Sequence, residues 1–185
     1  MRWPTIALDE WKPVSRPVVV IALAFYLLFL LYAALNRSNF LFLDYANLMI
    51  HEAGHPLLSP FGFTLMILGG TLAELIVPLV CAAYFFFRRE STGVAFCLFW
   101  FFENFLYVGT YMVDARTLAL PLVGSGEHDW EILFTQWNLL VQDQQIGHTI
   151  RTLGWLGMLA SIAWFAWRAF GRSNNERRSR NEFSA

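Results

Sequence analysis

Charge is what this sequence has least of. Asp, Glu, Lys and Arg make up only 15% of its 185 residues, against about 25% in an ordinary soluble domain. The formal net charge is −1, so no basic field draws nucleic acid, and no nucleic-acid partner is expected. Cysteine is sparse too. Cys81 and Cys97 both fall inside apolar runs, which gives no disulfide framework and no C-x-x-C metal site and reads as buried packing residues. No internal repeat is present. What remains is strongly apolar: 57% hydrophobic and 17% aromatic, with 18 Phe and 8 Trp, as lipid-facing and interfacial surfaces require.

The apolar residues come in long runs. About 20 consecutive apolar residues make a helix that crosses a bilayer. Pro17 to Leu35 is one such run, read as an uncleaved anchor rather than a signal peptide because it is long for a signal sequence. Phe61 to Phe87, Thr92 to Val113 and Ile146 to Phe170 are three more. Asn36 to Asn39 reads as a turn. Residues 114–145 form a mixed, polar loop ending in an amphipathic stretch. In the last run Gly147, Gly154 and Ser161 recur every seven residues, a small-residue stripe suited to close helix packing. Residues 1–170 are therefore expected to form one all-α transmembrane domain, and residues 171–185 a polar, arginine-rich, disordered tail.

One polar motif interrupts this pattern. His51-Glu52-Ala53-Gly54-His55 is an H-E-x-x-H sequence. Residues four apart share a helix face, so His51 and His55 can both present an imidazole nitrogen to one Zn²⁺, with Glu52 placed as general base. Asp44 is positioned to cap the helix that carries the motif. Pro56 follows the second histidine, and a residue before proline is pushed out of helical dihedrals, so the helix is expected to end or kink near His55. About 12 residues give roughly 18 Å, too short to span. Ionisable groups at membrane depth are costly and usually functional.

Positive charge marks the cytoplasmic side. Lys12 and Arg16 precede the first span, Arg88 and Arg89 separate the second and third, and Arg168, Arg172, Arg177, Arg178 and Arg180 end or follow the fourth. Four spans, with both termini cytoplasmic and the 44–58 helix only half inserted, put all of these clusters on one side of what is expected to be the cell's inner membrane. The motif and the 114–145 loop then share the opposite side, so a third ligand can come from that loop. His128 is the first choice: it sits in a glycine-rich loop, and imidazole suits zinc. Asp129 is the runner-up, as ligand or as the carboxylate orienting a ligand histidine. Asp114 and Glu74 are weaker alternatives, and a solvated loop is the competing reading of 127–129. His148 and Arg116 are candidate substrate or oxyanion contacts, with interfacial and lipid-phosphate roles as their bland alternatives. Glu103 and Asn104 read as an interhelical hydrogen bond more than as support for the metal helix.

The segment Asn47 to Pro56, Asn-Leu-Met-Ile-His-Glu-Ala-Gly-His-Pro, resembles the metal helix of the site-2-protease-like membrane zinc metalloproteases, and Leu68-Gly69-Gly70 loosely matches their following glycine-bearing span. The match covers about residues 45–80. It implies an intramembrane endopeptidase with His51 and His55 as zinc ligands, Glu52 as base and a membrane-embedded or membrane-proximal peptide as substrate. The family's later aspartate motif has no counterpart here, so the third ligand does not carry over. A zinc-dependent lipid amidase would use the same residues. A non-enzymatic membrane assembly protein with a structural metal site is the remaining alternative. A histidine-rich iron oxygenase needs more than the four histidines present.

Overall fold

The computed structural model describes residues 11–36, 40–123 and 127–182, with side chains as far as Gly171. Residues 37–39 of the expected Asn36 to Asn39 turn, Gly124 and Gly126 of the glycine-rich loop, and the side chains of the arginine-rich tail lie outside the described residues. The described chain is all-helical: α1 Arg16–Leu35, α2 Asp44–Leu58, α3 Phe63–Phe87, α4 Ser91–Val113, α5 Asp129–Gln136 and α6 Asp143–Glu182, with 3-10 turns at Ser59–Phe61 and Leu140–Gln142. Four segments are long and apolar enough to cross a membrane: Arg16–Leu35, Phe63–Phe87, Ser91–Val113 and Leu140–Gly171. They match the four runs expected, with ends moved by a few residues. This is the helix content of a multi-pass membrane protein.

Their outer surfaces agree. Val20, Ile21 and Leu28 on α1 are 65%, 68% and 65% exposed, a display of large apolar side chains that water would penalise and lipid would not. Pro17 at the first turn of α1 presets the helical φ and loses no hydrogen bond there. Inside, one apolar cluster joins α1, α4 and α6 through Tyr26, Phe29, Phe99, Met158 and Phe165. A second holds α3, α4 and α5 through Ile67, Val108, Met112, Trp130, Leu133 and Phe134. The small-residue stripe of α6 faces α4: a methyl at Gly147 would meet the Gly109 carbonyl and Val113, and one at Gly154 would meet the Phe102 carbonyl and Phe105.

Two prolines sit inside helices. Pro56 does not end α2, which runs on to Leu58 before tightening into the 3-10 turn. The proline falls in the last turn, so it removes only one ladder bond, and the Ser59 hydroxyl donates to its carbonyl at 2.9 Å. Pro78 lies mid-way along α3 and has no N–H for the Glu74 carbonyl. Asn104 of α4 replaces that donor, its Nδ2 reaching Glu74 O at 2.8 Å. This is the interhelical hydrogen bond expected of Asn104.

Candidate metal centre

The sequence places α2 against α3 through two glycines. A Cβ at Gly54 would strike the Gly69 carbonyl, and one at Gly69 would strike the Gly54 carbonyl. Only hydrogen at both positions lets the backbones approach this closely. One residue on, a Cβ at Gly70 would occupy the His51 ring, so Gly70 is the recess in which that imidazole lies.

Both motif histidines are held by Nδ1. His51, buried, is 3.1 Å from Glu74 Oε1 through Nδ1 and 2.8 Å from Asp129 Oδ2 through Nε2. His55 Nδ1 is 2.9 Å from the Met66 carbonyl. A carbonyl only accepts, so His55 carries its proton on Nδ1 and turns its Nε2 lone pair outward. That lone pair faces Asp129 Oδ2 at 3.5 Å. Two imidazole Nε2 atoms thus converge on one carboxylate oxygen, and electron pairs so arranged need a cation or a shared proton between them. His51, His55 and Asp129 offer ligand atoms all within 4.8 Å of one another and could hold a metal ion. Among the described residues no other group of three His, Cys, Asp or Glu side chains does so. Glu74 behind His51 and the Met66 carbonyl behind His55 are the oxygen partners that fix ring orientation in metal sites.

Asp129 owes its position to α5. Trp130, Leu133 and Phe134 are 5%, 1% and 2% exposed and pin this short helix to the second core cluster. Asp129 is its first residue, where a carboxylate is stabilised by the helix dipole, and its N–H donates to the Tyr111 hydroxyl at 3.1 Å.

His128, the first choice for third ligand, is placed elsewhere. It caps α5, its Nδ1 accepting the Glu131 N–H at 3.1 Å. Its Nε2 lies 3.6 Å from Asp114 Oδ2, and its ring packs on Tyr111 at 4.1 Å. Burial lowers its pKa despite the neighbouring carboxylates. Adjacent residues at a helix start point in different directions, so the site receives Asp129 and the cap receives His128. Asp114 is not at the site either. It accepts from the Thr117 hydroxyl and from the Ala119 and Leu120 N–H groups, which closes the turn after α4. Burial pushes its pKa up, and those hydrogen bonds outweigh it and hold it below the usual carboxylate value. Glu74 touches His51 and supports it. Arg116 is bonded to Asp143 at 2.8 Å through Nε, clamping the end of α4 to the start of α6. His148 is exposed on α6 and, like Arg116, does not line the cavity beside the histidines.

A cavity of about 1050 Å³ opens beside the histidines, between the end of α1, α2, α4 and the loop before α5. Phe40, Tyr45, Leu48, Tyr107, Leu120 and Leu122 give it an apolar wall. His51, Glu52, His55 and Asp129 break through that wall together. Glu52 is half-buried.

Sequence reasoning left out a polar network beneath the site. Asn47, one turn before His51, donates to Asp44 Oδ1 at 3.2 Å and Glu103 Oε2 at 3.0 Å, and accepts from Trp100 Nε1 at 2.8 Å. Asp44 starts α2 and also turns back to accept the Leu41 N–H at 2.6 Å, instead of capping forward. Glu103 therefore contacts α2 through Asn47. The signal available in the sequence was the helical spacing of Asp44, Asn47 and His51, which share one face.

Comparison with protein-family models, with curated proteins and with solved structures finds no significant match to this chain.

Proposed function

We propose that the chain is a membrane-embedded zinc metallohydrolase that cleaves membrane-proximal or intramembrane peptide bonds, as its likeness to the site-2-protease-like enzymes implies. The observation that carries this reading is the convergence of His51 Nε2, His55 Nε2 and Asp129 Oδ2, with both Nδ1 atoms anchored, on the cavity wall that also bears Glu52. Two imidazoles and a carboxylate suit zinc. Three protein ligands leave one position for water, as catalytic zinc sites do and closed structural sites do not.

A bound zinc would supply Lewis acidity and a water of lowered pKa. The chain's own groups do the rest. Glu52 would serve as the base, accepting the proton of the water that adds to the substrate carbonyl carbon. When the carbon–nitrogen bond breaks, the same proton passes to the leaving nitrogen. Glu74 and the Met66 carbonyl keep both rings in register, and the apolar cavity limits competing water.

In this reading α2 is half inserted. Its early residue Asn47 meets Trp100 and Glu103 in the middle of α4, and its late residue His55 meets Met66 near the start of α3. Fifteen residues rise only about 22 Å, short of a full crossing. Both termini are cytoplasmic, and the site opens toward the other face of the inner membrane.

A zinc-dependent lipid amidase is the second reading. The apolar wall and size of the cavity favour an acyl chain, and no strand edge exists among the described residues to pair with an extended peptide. The test is hydrolysis of membrane peptides and lipid amides by reconstituted wild type and Glu52→Gln. Retained metal with activity lowered by roughly 100-fold or more supports the assignment, and the substrate that turns over chooses between the readings. Equal rates in both proteins would exclude Glu52 as the base.

A further inference from the structure

At the end of α3 remote from the histidines, the basic residues divide by their partners. Lys12 Nζ and Arg88 Nε share Glu90 Oε1, at 2.7 and 3.1 Å. Arg89 and Arg168 have no carboxylate within ion-pair distance among the described residues. They gather instead on aromatic rings: Arg89 Cζ lies 5.1 Å from the Phe86 centroid, and both arginines share the Trp11 indole. The Trp11 ring centroid is 5.8 Å from Arg89 Cζ and 5.1 Å from Arg168 Cζ. A ring face attracts a cation only modestly, and no carboxylate among the described residues compensates either charge.

Three further observations single out this cluster. Arg168 Nε is shielded from solvent and has no acceptor among the described residues, a state native structures rarely leave a donor in. Arg89 has φ of 58°, just past the end of α3, where helices ordinarily place glycine. Its strained backbone is fixed from both sides: its N–H donates to the Phe86 carbonyl at 3.0 Å, and its carbonyl accepts the Lys12 N–H at 2.9 Å. A non-glycine residue held in that region by its surroundings points to a side chain kept for its chemistry. Trp11 is a fixed platform, edge-packed on Phe86 and Trp164 with centroids at 5.5 and 5.7 Å.

We propose that Trp11, Arg89 and Arg168 form a binding site for the headgroup of an anionic membrane phospholipid. Planar guanidinium forks match phosphate oxygens in pairs, and tryptophan settles at headgroup level. A lipid fits better than free phosphate because apolar side chains crowd the same helix ends. Phe87, Trp167 and Phe170 are 72%, 68% and 57% exposed there and offer a wall for acyl chains. The site is separate from the metal centre and independent of its chemistry.

The experiment reconstitutes the full chain in phosphatidylcholine with and without phosphatidylglycerol, and counts retained lipids by native mass spectrometry. Wild type retains phosphatidylglycerol over phosphatidylcholine by roughly fivefold for each arginine. Arg89→Gln or Arg168→Gln each removes about one such factor, and the pair removes the preference. Lys12→Gln, whose partner is Glu90, leaves it in place. If the double variant does not fold, the two single variants carry the comparison. Equal preference in wild type and the arginine variants would overturn the site. So would displacement of the lipid by inorganic phosphate alone. A gain in lipid retention by Asp9→Asn/Glu10→Gln would likewise overturn it, by giving the arginines to the chain's own carboxylates.

Discussion

At the scale of single residues, the site is decided by which atom of each side chain is already spoken for. Glu74 occupies Nδ1 of His51, and Met66 occupies Nδ1 of His55, so both Nε2 atoms are left for Asp129 or a cation. Glu74 therefore acts through His51. Glu74→Gln keeps the shape and weakens the acceptor, and it is expected to lower metal affinity about 10- to 100-fold, read by competition with a chelator in the purified protein. Unchanged affinity would remove Glu74 from the site. The H-E-x-x-H pair was legible in the sequence because a helix fixes the relation between residues four apart. The third donor was legible only as a choice between neighbours. Nothing in the letters His-Asp says that the histidine will cap α5 and the aspartate will turn to the histidines. That follows from the anchoring of Trp130, Leu133 and Phe134, which orients the whole helix.

Among the elements, the contact of α2 with α3 matters most. Gly54 and Gly69 let the two backbones touch, and Gly70 makes the recess for His51. The sequence showed the glycines, but their use depends on a helix pairing that no local pattern specifies. Gly54→Ala puts a methyl into the Gly69 carbonyl. A destabilisation of about 1–3 kcal/mol is expected in detergent unfolding, together with loss of bound metal as α2 is pushed away. A variant as stable as wild type would mean that the helices do not pack as described. Pro56 is the complementary lesson. Its rule is sound, since proline removes a hydrogen bond, but in a last turn the loss is small and the helix continues to Leu58. At Pro78 the same loss occurs mid-helix, and Asn104 makes it good from α4.

For the whole molecule, composition alone identified four apolar helices, because lipid imposes one length and one chemistry on every span. Their arrangement around the cavity was not legible, since helix pairing in apolar surroundings depends on glycines and isolated polar bonds. The orientation in the membrane is testable at this scale. With Cys81 and Cys97 replaced, Arg16→Cys and Val123→Cys are expected to react with an impermeant thiol reagent from opposite faces of sealed vesicles. Labelling of both from one face would contradict the four-span arrangement with a half-inserted α2.

The geometry of α5 makes the proposed metal centre open to one direct comparison: the metal content of the purified full chain beside those of Asp129→Ala and His128→Ala. The expected result is about one divalent ion per chain in wild type and in His128→Ala, which loses only about 1 kcal/mol of cap stability, and a folded Asp129→Ala protein that retains none. Metal kept by Asp129→Ala and lost by His128→Ala would contradict the site built from His51, His55 and Asp129.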